Sequence, residues 1–152
     1  MGSFEYWPPP ALPPGWHRFT LFHCPIGLWD IRFEDERYDR IKGEPPEGCT
    51  VTEIGRYFAL ECARPGPTFL DAVATTCADI RDRYGLSMYD LGIENVDEWS
   101  ADGLNGWGAK VLGQLALMSV ERAELLGYHA EDLVRFIRIV AGDGRGLDDA
   151  RW

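Results

Sequence analysis

From Arg18 to Phe33 apolar and polar positions alternate. Phe19 and Leu21 share one face, and Trp29, Ile31 and Phe33 alternate with Asp30, Arg32 and Glu34. Alternation with period two marks strands that have one solvated face. Pro25-Ile26-Gly27 supplies a turn between the two runs, so the pattern predicts a β-hairpin. The charged segment from Glu34 to Gly48 holds Gly43 and Pro45-Pro46 and predicts a surface loop. The run Arg56-Tyr57-Phe58-Ala59-Leu60-Glu61-Cys62 predicts another strand, paired with Thr50-Val51-Thr52.

At residue 68 the period changes. Phe69, Val73, Cys77, Ile80 and Tyr84 form one stripe at helical spacing. Thr68 stands where an N-cap belongs, with Asp71 three residues later to complete a capping box. Arg81 and Arg83 fall in the last turn and Gly85 stops the helix. The stripe predicts a core-facing helix over 68–84. Leu86 to Glu94 predicts a further short strand, and an acidic, Trp-bearing loop follows from Asn95 to Gly108. The remainder predicts helices over 109–118, 119–126 and 130–141, with a frayed tail beyond 142.

These elements define an α+β fold: a small antiparallel sheet, one long amphipathic helix and a C-terminal helical hairpin. Residues 1–16 contain Trp7-Pro8-Pro9-Pro10 and Pro13-Pro14-Gly15-Trp16, the composition of an extended arm. The expected organisation is an arm over 1–16, one domain over 17–141 and a flexible tail over 142–152.

The chain has 152 residues, which suits one ordinary domain. Its formal charge of −10 opposes long-range attraction to nucleic-acid phosphates and favours a basic partner. Six Trp, six Tyr and seven Phe supply both core anchors and the residue types that dominate protein interfaces. Only Lys42 and Lys110 are lysines among 15 basic residues, an arginine bias expected of a GC-rich bacterium or its phage. No apolar run approaches the ~20 residues of a membrane span, and the N-terminus lacks the pattern of a signal peptide. Cys24, Cys49, Cys62 and Cys77 show no CxxC spacing, so free thiols in a reducing compartment are expected. Together these features predict a cytoplasmic protein.

Chemistry is hard to find. The sequence has no GxSxG elbow, no phosphate-binding glycine loop, no HExxH and no dinucleotide fingerprint. His17 and His23 share one strand face, but no third ligand is placed beside them, so the expectation is hydrogen-bonded strand histidines without a metal. Glu94, Asp97, Glu98 and Asp102 form the densest carboxylate cluster, and their spacing does not match a calcium loop. Trp99 and Trp107 lie in the same segment, eight residues apart and out of helical period. A partner contact made of Glu94, Asp97, Glu98, Trp99, Asp102 and Trp107 follows, with the carboxylates steering a basic protein.

Residues 117–138 read LMSVERAELLGYHAEDLVRFIR, which resembles the helix-turn-helix of excisionase-type and MerR-type DNA-binding proteins. Ala123 is small where the helices cross, and Gly127 stands at the tight turn. The resemblance implies that Leu126, Tyr128, Leu133 and Phe136 hold the two helices together, and that His129, Arg135 and Arg138 contact DNA. Arg122, Glu131-Asp132 and Val134 depart from the pattern. Phe136, Ile137, Ile139 and Val140 make the second helix so apolar that burial is expected.

The sequence therefore predicts a non-catalytic protein-binding protein without a cofactor: a small acidic adaptor, inhibitor or immunity-type protein. The alternative is a DNA-binding transcriptional regulator using 119–138.

Overall fold

A computed structural model describes residues 11–28, 30–93 and 107–142. Strand β1 (Trp16–His23) is followed by a 3-10 turn at Glu36–Tyr38 and the short helix α1 (Asp39–Gly43). Then come β2 (Cys49–Ile54), β3 (Tyr57–Pro65), α2 (Phe69–Tyr84), α3 (Trp107–Leu126) and α4 (Ala130–Val140). This is an α+β fold with a three-stranded antiparallel sheet in the order β1-β3-β2. The chain divides into two compact units, 1–115 and 116–152, and the division falls within α3. Among the described residues no helix is long and apolar enough to cross a membrane.

In the first unit, β3 is central because it is the strand with the longest apolar run. Its register sets Phe19 opposite Cys62, Leu21 opposite Leu60 and His23 opposite Phe58. All six are buried, so one sheet face is the core face. A two-residue loop, Gly55-Arg56, joins β2 to β3, and Cys49 lies opposite Cys62. Gly48 just before β2 has φ +80°, and a Cβ there would stand 2.5 Å from the Ala63 carbonyl oxygen, so only glycine fits.

Helix α2 packs its stripe against β1 and β3. Phe69, Val73 and Ile80 are buried as expected, joined by Ala72 and Thr76, while Cys77 and Tyr84 are half-buried. The Phe69 ring meets Phe19 edge-on at 5.9 Å. Thr68 accepts a hydrogen bond from the Asp71 backbone N–H at 3.1 Å, and its hydroxyl donates to the Asp71 carboxylate at 2.7 Å. Gly85 ends the helix in the left-handed region, with φ +71°. Arg64 of β3 locks the helix down, donating to Thr76 Oγ1 and the Glu47 carbonyl and lying 3.6 Å from the Asp79 carboxylate.

Several expected elements differ. Among the described residues β1 has no hairpin partner, and it pairs with β3 instead. At residues 25–28 and again between residues 30 and 38 the backbone turns repeatedly, with Leu28 N–H bonded to Pro25 O, Ile31 to Leu28, Asp35 to Arg32 and Tyr38 to Asp35. The alternation there arises because turn residues reach inward: Ile31 is buried, and the Phe33 ring stacks on Phe58 at 6.1 Å. The segment 34–48 is no simple loop. Tyr38 and Ile41, three residues apart, are fully buried from the 3-10 turn and α1, and Tyr38 stacks on Phe58 at 4.3 Å. Leu86 to Ile93 forms no strand and pairs only through a bridge between Asp90 and Phe22. The two helices expected over 109–126 are one, since neither Gly nor Pro interrupts residues 114–126.

Inside the first unit, the N-terminal half of α3 is held close by Gly113. A Cβ there would approach Leu91 at 3.0 Å and Leu70 at 3.1 Å. The buried Gln114 side chain accepts the Leu91 N–H, which no strand partner satisfies.

Candidate functional site

Two places bring polar or exposed side chains together: an open hollow in the first unit and the helical surface of the second. The hollow, about 670 Å³, is lined by His23, Asp35, Glu36, Arg37, Asp39, Tyr84, Gly85 and Leu86. The turn that carries Asp35 and Arg37 places them over the end of β1. Asp35 caps the 3-10 turn, accepting from the Arg37 backbone N–H and from Arg37 Nε, both at 2.9 Å. These bonds hold its carboxyl below the usual carboxylate range.

His23 forms the floor, 6% exposed, with Nδ1 in a 2.6 Å hydrogen bond to the Tyr38 hydroxyl. Burial, helped by the nearby Arg37 guanidinium, lowers its pKa to about 4, while burial raises Tyr38 to about 12. Both side chains are therefore neutral at neutral pH. Beside them the Cys24 thiol donates to the Asp90 carboxylate at 3.1 Å. A thiol beside an anion lacks the electropositive setting that generates a thiolate nucleophile. The grouping fixes β1 to the 34–48 segment and offers no nucleophile-base pair.

The other strand histidine, His17, bonds the Gly66 carbonyl at 3.0 Å, as expected of hydrogen-bonded strand histidines. Among the described residues no group of three His, Cys, Asp or Glu side chains could hold a metal ion. All four cysteines are free thiols, and Cys49 and Cys62 face each other across the strands at 3.5 Å. The hydrogen bond with Cys49, followed by burial, raises the Cys62 pKa, and burial raises that of Cys77 to about 11, which suits inert packing thiols.

In the second unit, the C-terminal part of α3 is joined to α4 by a turn at Gly127, φ +83°. Tyr128 N–H donates to the Ala123 carbonyl at 2.9 Å, closing the end of α3. Helix α4 starts behind His129, whose backbone N–H donates to the Asp132 carboxylate at 2.8 Å. Ala123 is buried, and Gly127 has a positive φ. The resemblance also implied that Leu126, Tyr128 and Phe136 join the two helices, but they are 73%, 60% and 65% exposed. Expected burial of α4 fails as well. It has no buried residue, and Ile137, Ile139 and Val140 are 59%, 67% and 64% exposed.

The reason lies in the angular distribution of α4 residues. Glu131, Arg135 and Arg138 are spaced i, i+4, i+7 and make one polar stripe. Leu133, Phe136, Ile137 and Val140 make an equally regular apolar stripe on the other side. The helix is amphipathic rather than apolar all round, and its apolar side is open. Of the DNA-contact candidates, His129 is exposed at the N-cap. Arg135 pairs with Asp132 at 3.6 Å, and Arg138 is exposed on the polar stripe.

The other expected contact lies elsewhere. Glu94, Asp97, Glu98, Trp99 and Asp102 fall outside the described residues, and Trp107 opens α3 with its side chain outside the description. Sequence reasoning missed the hollow because it took 34–48 as a loop. The signals were Asp35 before a helical turn and the i, i+3 pair Tyr38 and Ile41.

Compared with protein-family models, curated proteins and solved structures, the chain matches none of them.

Proposed function

We propose that this is a non-catalytic protein-binding protein, a small acidic adaptor, inhibitor or immunity-type protein that makes protein contact through α4. The observation that carries the reading is the open apolar side of α4, where Phe136, Ile137 and Val140 each expose more than half of their surface, with Ile139 exposed outside that stripe. Water-facing apolar patches of this kind mark contact sites. At the hollow, His23 is neutral at neutral pH and Asp35 is tied to Arg37, which lends no support to a competing acid–base reading there.

The DNA-binding alternative draws support from the Gly127 turn and from exposed Arg135 and Arg138. It is the weaker reading. The first turn of α4 carries Glu131 and Asp132, and the chain carries −10 overall, whereas phosphate neutralisation supplies much of DNA affinity.

A photo-crosslinking residue at position 137 of the full chain, expressed in its host, should give protein adducts. The same residue at Thr75, exposed on α2, should give none. A gel shift at low salt that is lost in Arg135→Ala and Arg138→Ala, with no protein adduct at 137, would replace this reading with the DNA-binding one.

A further inference from the structure

We propose that Cys49 and Cys62 are a redox pair that closes into a cross-strand disulfide by exchange with a small-molecule disulfide. The two residues stand directly opposite in the β2–β3 ladder. Both are buried on the core face, and their sulfurs are 3.5 Å apart. The Ala63 N–H donates to the Gly48 carbonyl at 2.8 Å, so 48 and 63 are a hydrogen-bonded pair and 49 and 62, one step along, are not. Cα atoms of such non-hydrogen-bonded pairs lie about 4.5 Å apart, inside the ~4.4–6.8 Å that a disulfide spans. The sulfurs must close to ~2.05 Å, a movement that side-chain torsions can supply with both strands in place.

The two thiols are not equivalent. The hydrogen bond with Cys62 holds Cys49 below the usual thiol range against the opposing effect of burial, and the Arg64 guanidinium adds to it. The same bond, followed by burial, pushes Cys62 up. Cys49 is therefore the attacking sulfur, and Cys62 stays protonated and inert until Cys49 has reacted. The Cys49 thiolate attacks one sulfur of the small disulfide and releases a thiolate, which takes up the Cys49 proton. Cys62 then loses its proton to the second leaving thiolate as its sulfur displaces that group from Cys49. Two protein thiols become one S–S bond, and the small disulfide is reduced to two thiols.

Position makes Cys49 the reachable member. It opens β2, an edge strand paired with β3 on one side, and the next residue, Thr50, is exposed. Exchange waits on fraying of that edge and is slow. The bond would form at the open end of the hairpin, away from the Gly55-Arg56 loop. There Arg64 donates to the Glu47 carbonyl and reaches Asp79 of α2, so oxidation fastens the end of the sheet on which α2 is clamped.

The test treats the purified full chain with oxidised glutathione until the count of free thiols is constant. Trypsin cuts after Arg56 and leaves Cys49 and Cys62 in separate peptides, 43–56 and 57–81, because Arg64 precedes Pro65 and is spared. Without reduction the two peptides are expected as one linked mass, with fragmentation placing the bond at Cys62 rather than Cys77. Dithiothreitol should separate them. The linked chain should unfold about 5–10 °C above the reduced chain, since the bond closes residues 49–62 into a loop. Cys24→Ala and Cys77→Ala should keep the link, and Cys49→Ala should lose both the link and the gain in midpoint. The proposal is overturned if the native chain keeps both thiols, carries glutathione on them without linking, or links them only after unfolding in urea. A bond from Cys49 to Cys24 or Cys77 overturns it as well. The peptide map uses the unaltered sequence, so it decides even where a cysteine variant fails to fold.

Discussion

Helices α2 and α4 are both amphipathic, and they meet opposite fates. In α2 the stripe Phe69, Val73 and Ile80 lies under the sheet, and a polar clamp of Arg64, Thr76 and Asp79 fastens the helix from the side. In α4 the stripe is sharper, yet it has no buried member. Two helices in one chain thus carry the same signal, and only one finds its cover within the described residues. Amphipathicity states that a face must be covered. It does not state whether the cover is the same chain or another molecule.

The largest expected effect breaks the closed side of this comparison. Ile80→Ala empties a fully buried site and should cost about 2–5 kcal/mol in denaturant unfolding. A loss below ~0.5 kcal/mol would show that the α2 stripe is not core.

The next effect is a pH dependence from the floor of the hollow. His23 has a folded pKa of about 4 against 6.5 when unfolded, so in that interval the unfolded chain binds a proton that the folded chain does not. The stability from the neutral ring is complete above pH 6.5 and is lost as pH falls toward 4, by on the order of 3 kcal/mol. A His23→Gln variant should be less stable at pH 7 and should lose less stability between pH 6.5 and 4. Parallel pH profiles for variant and wild type would refute the assignment.

Removing the α2 cap is smaller. Thr68→Ala should cost about 1 kcal/mol, and Thr68→Ser or Thr68→Asn should recover most of it. Smallest is the open side: Ile137→Ala should change unfolding of the purified chain by less than about 0.5 kcal/mol. A cost near that of Ile80→Ala would mean that α4 is covered within its own chain.

The sequence made α2 legible to the residue, from Thr68 through Gly85, because cap, stripe and stop are local signals. Strands β2 and β3 were legible for the same reason. The failures share a physical cause. Ile31 and Phe33 mimic a strand by alternation, but the ladder that would confirm a strand is a long-range fact, and β1 spends its hydrogen bonds on β3. Tyr38 and Ile41 were masked by charged neighbours, Glu36, Arg37, Asp39 and Arg40, which solvate the outer side of the same turn. For the contact face, residues 136–140 announced an apolar surface, and burial was the reasonable expectation from one chain. Which molecule provides the burial is not encoded in periodicity.

Reactivity of a thiol placed on the open stripe tests the central claim most directly. In Ile137→Cys the new thiol joins Cys49 and Cys62, which are buried, and Cys24 and Cys77, which are half-buried, so its labelling stands above the background. The account predicts fast labelling of the purified chain, because the stripe is open. Slow labelling at every concentration would mean that the chain covers α4 itself.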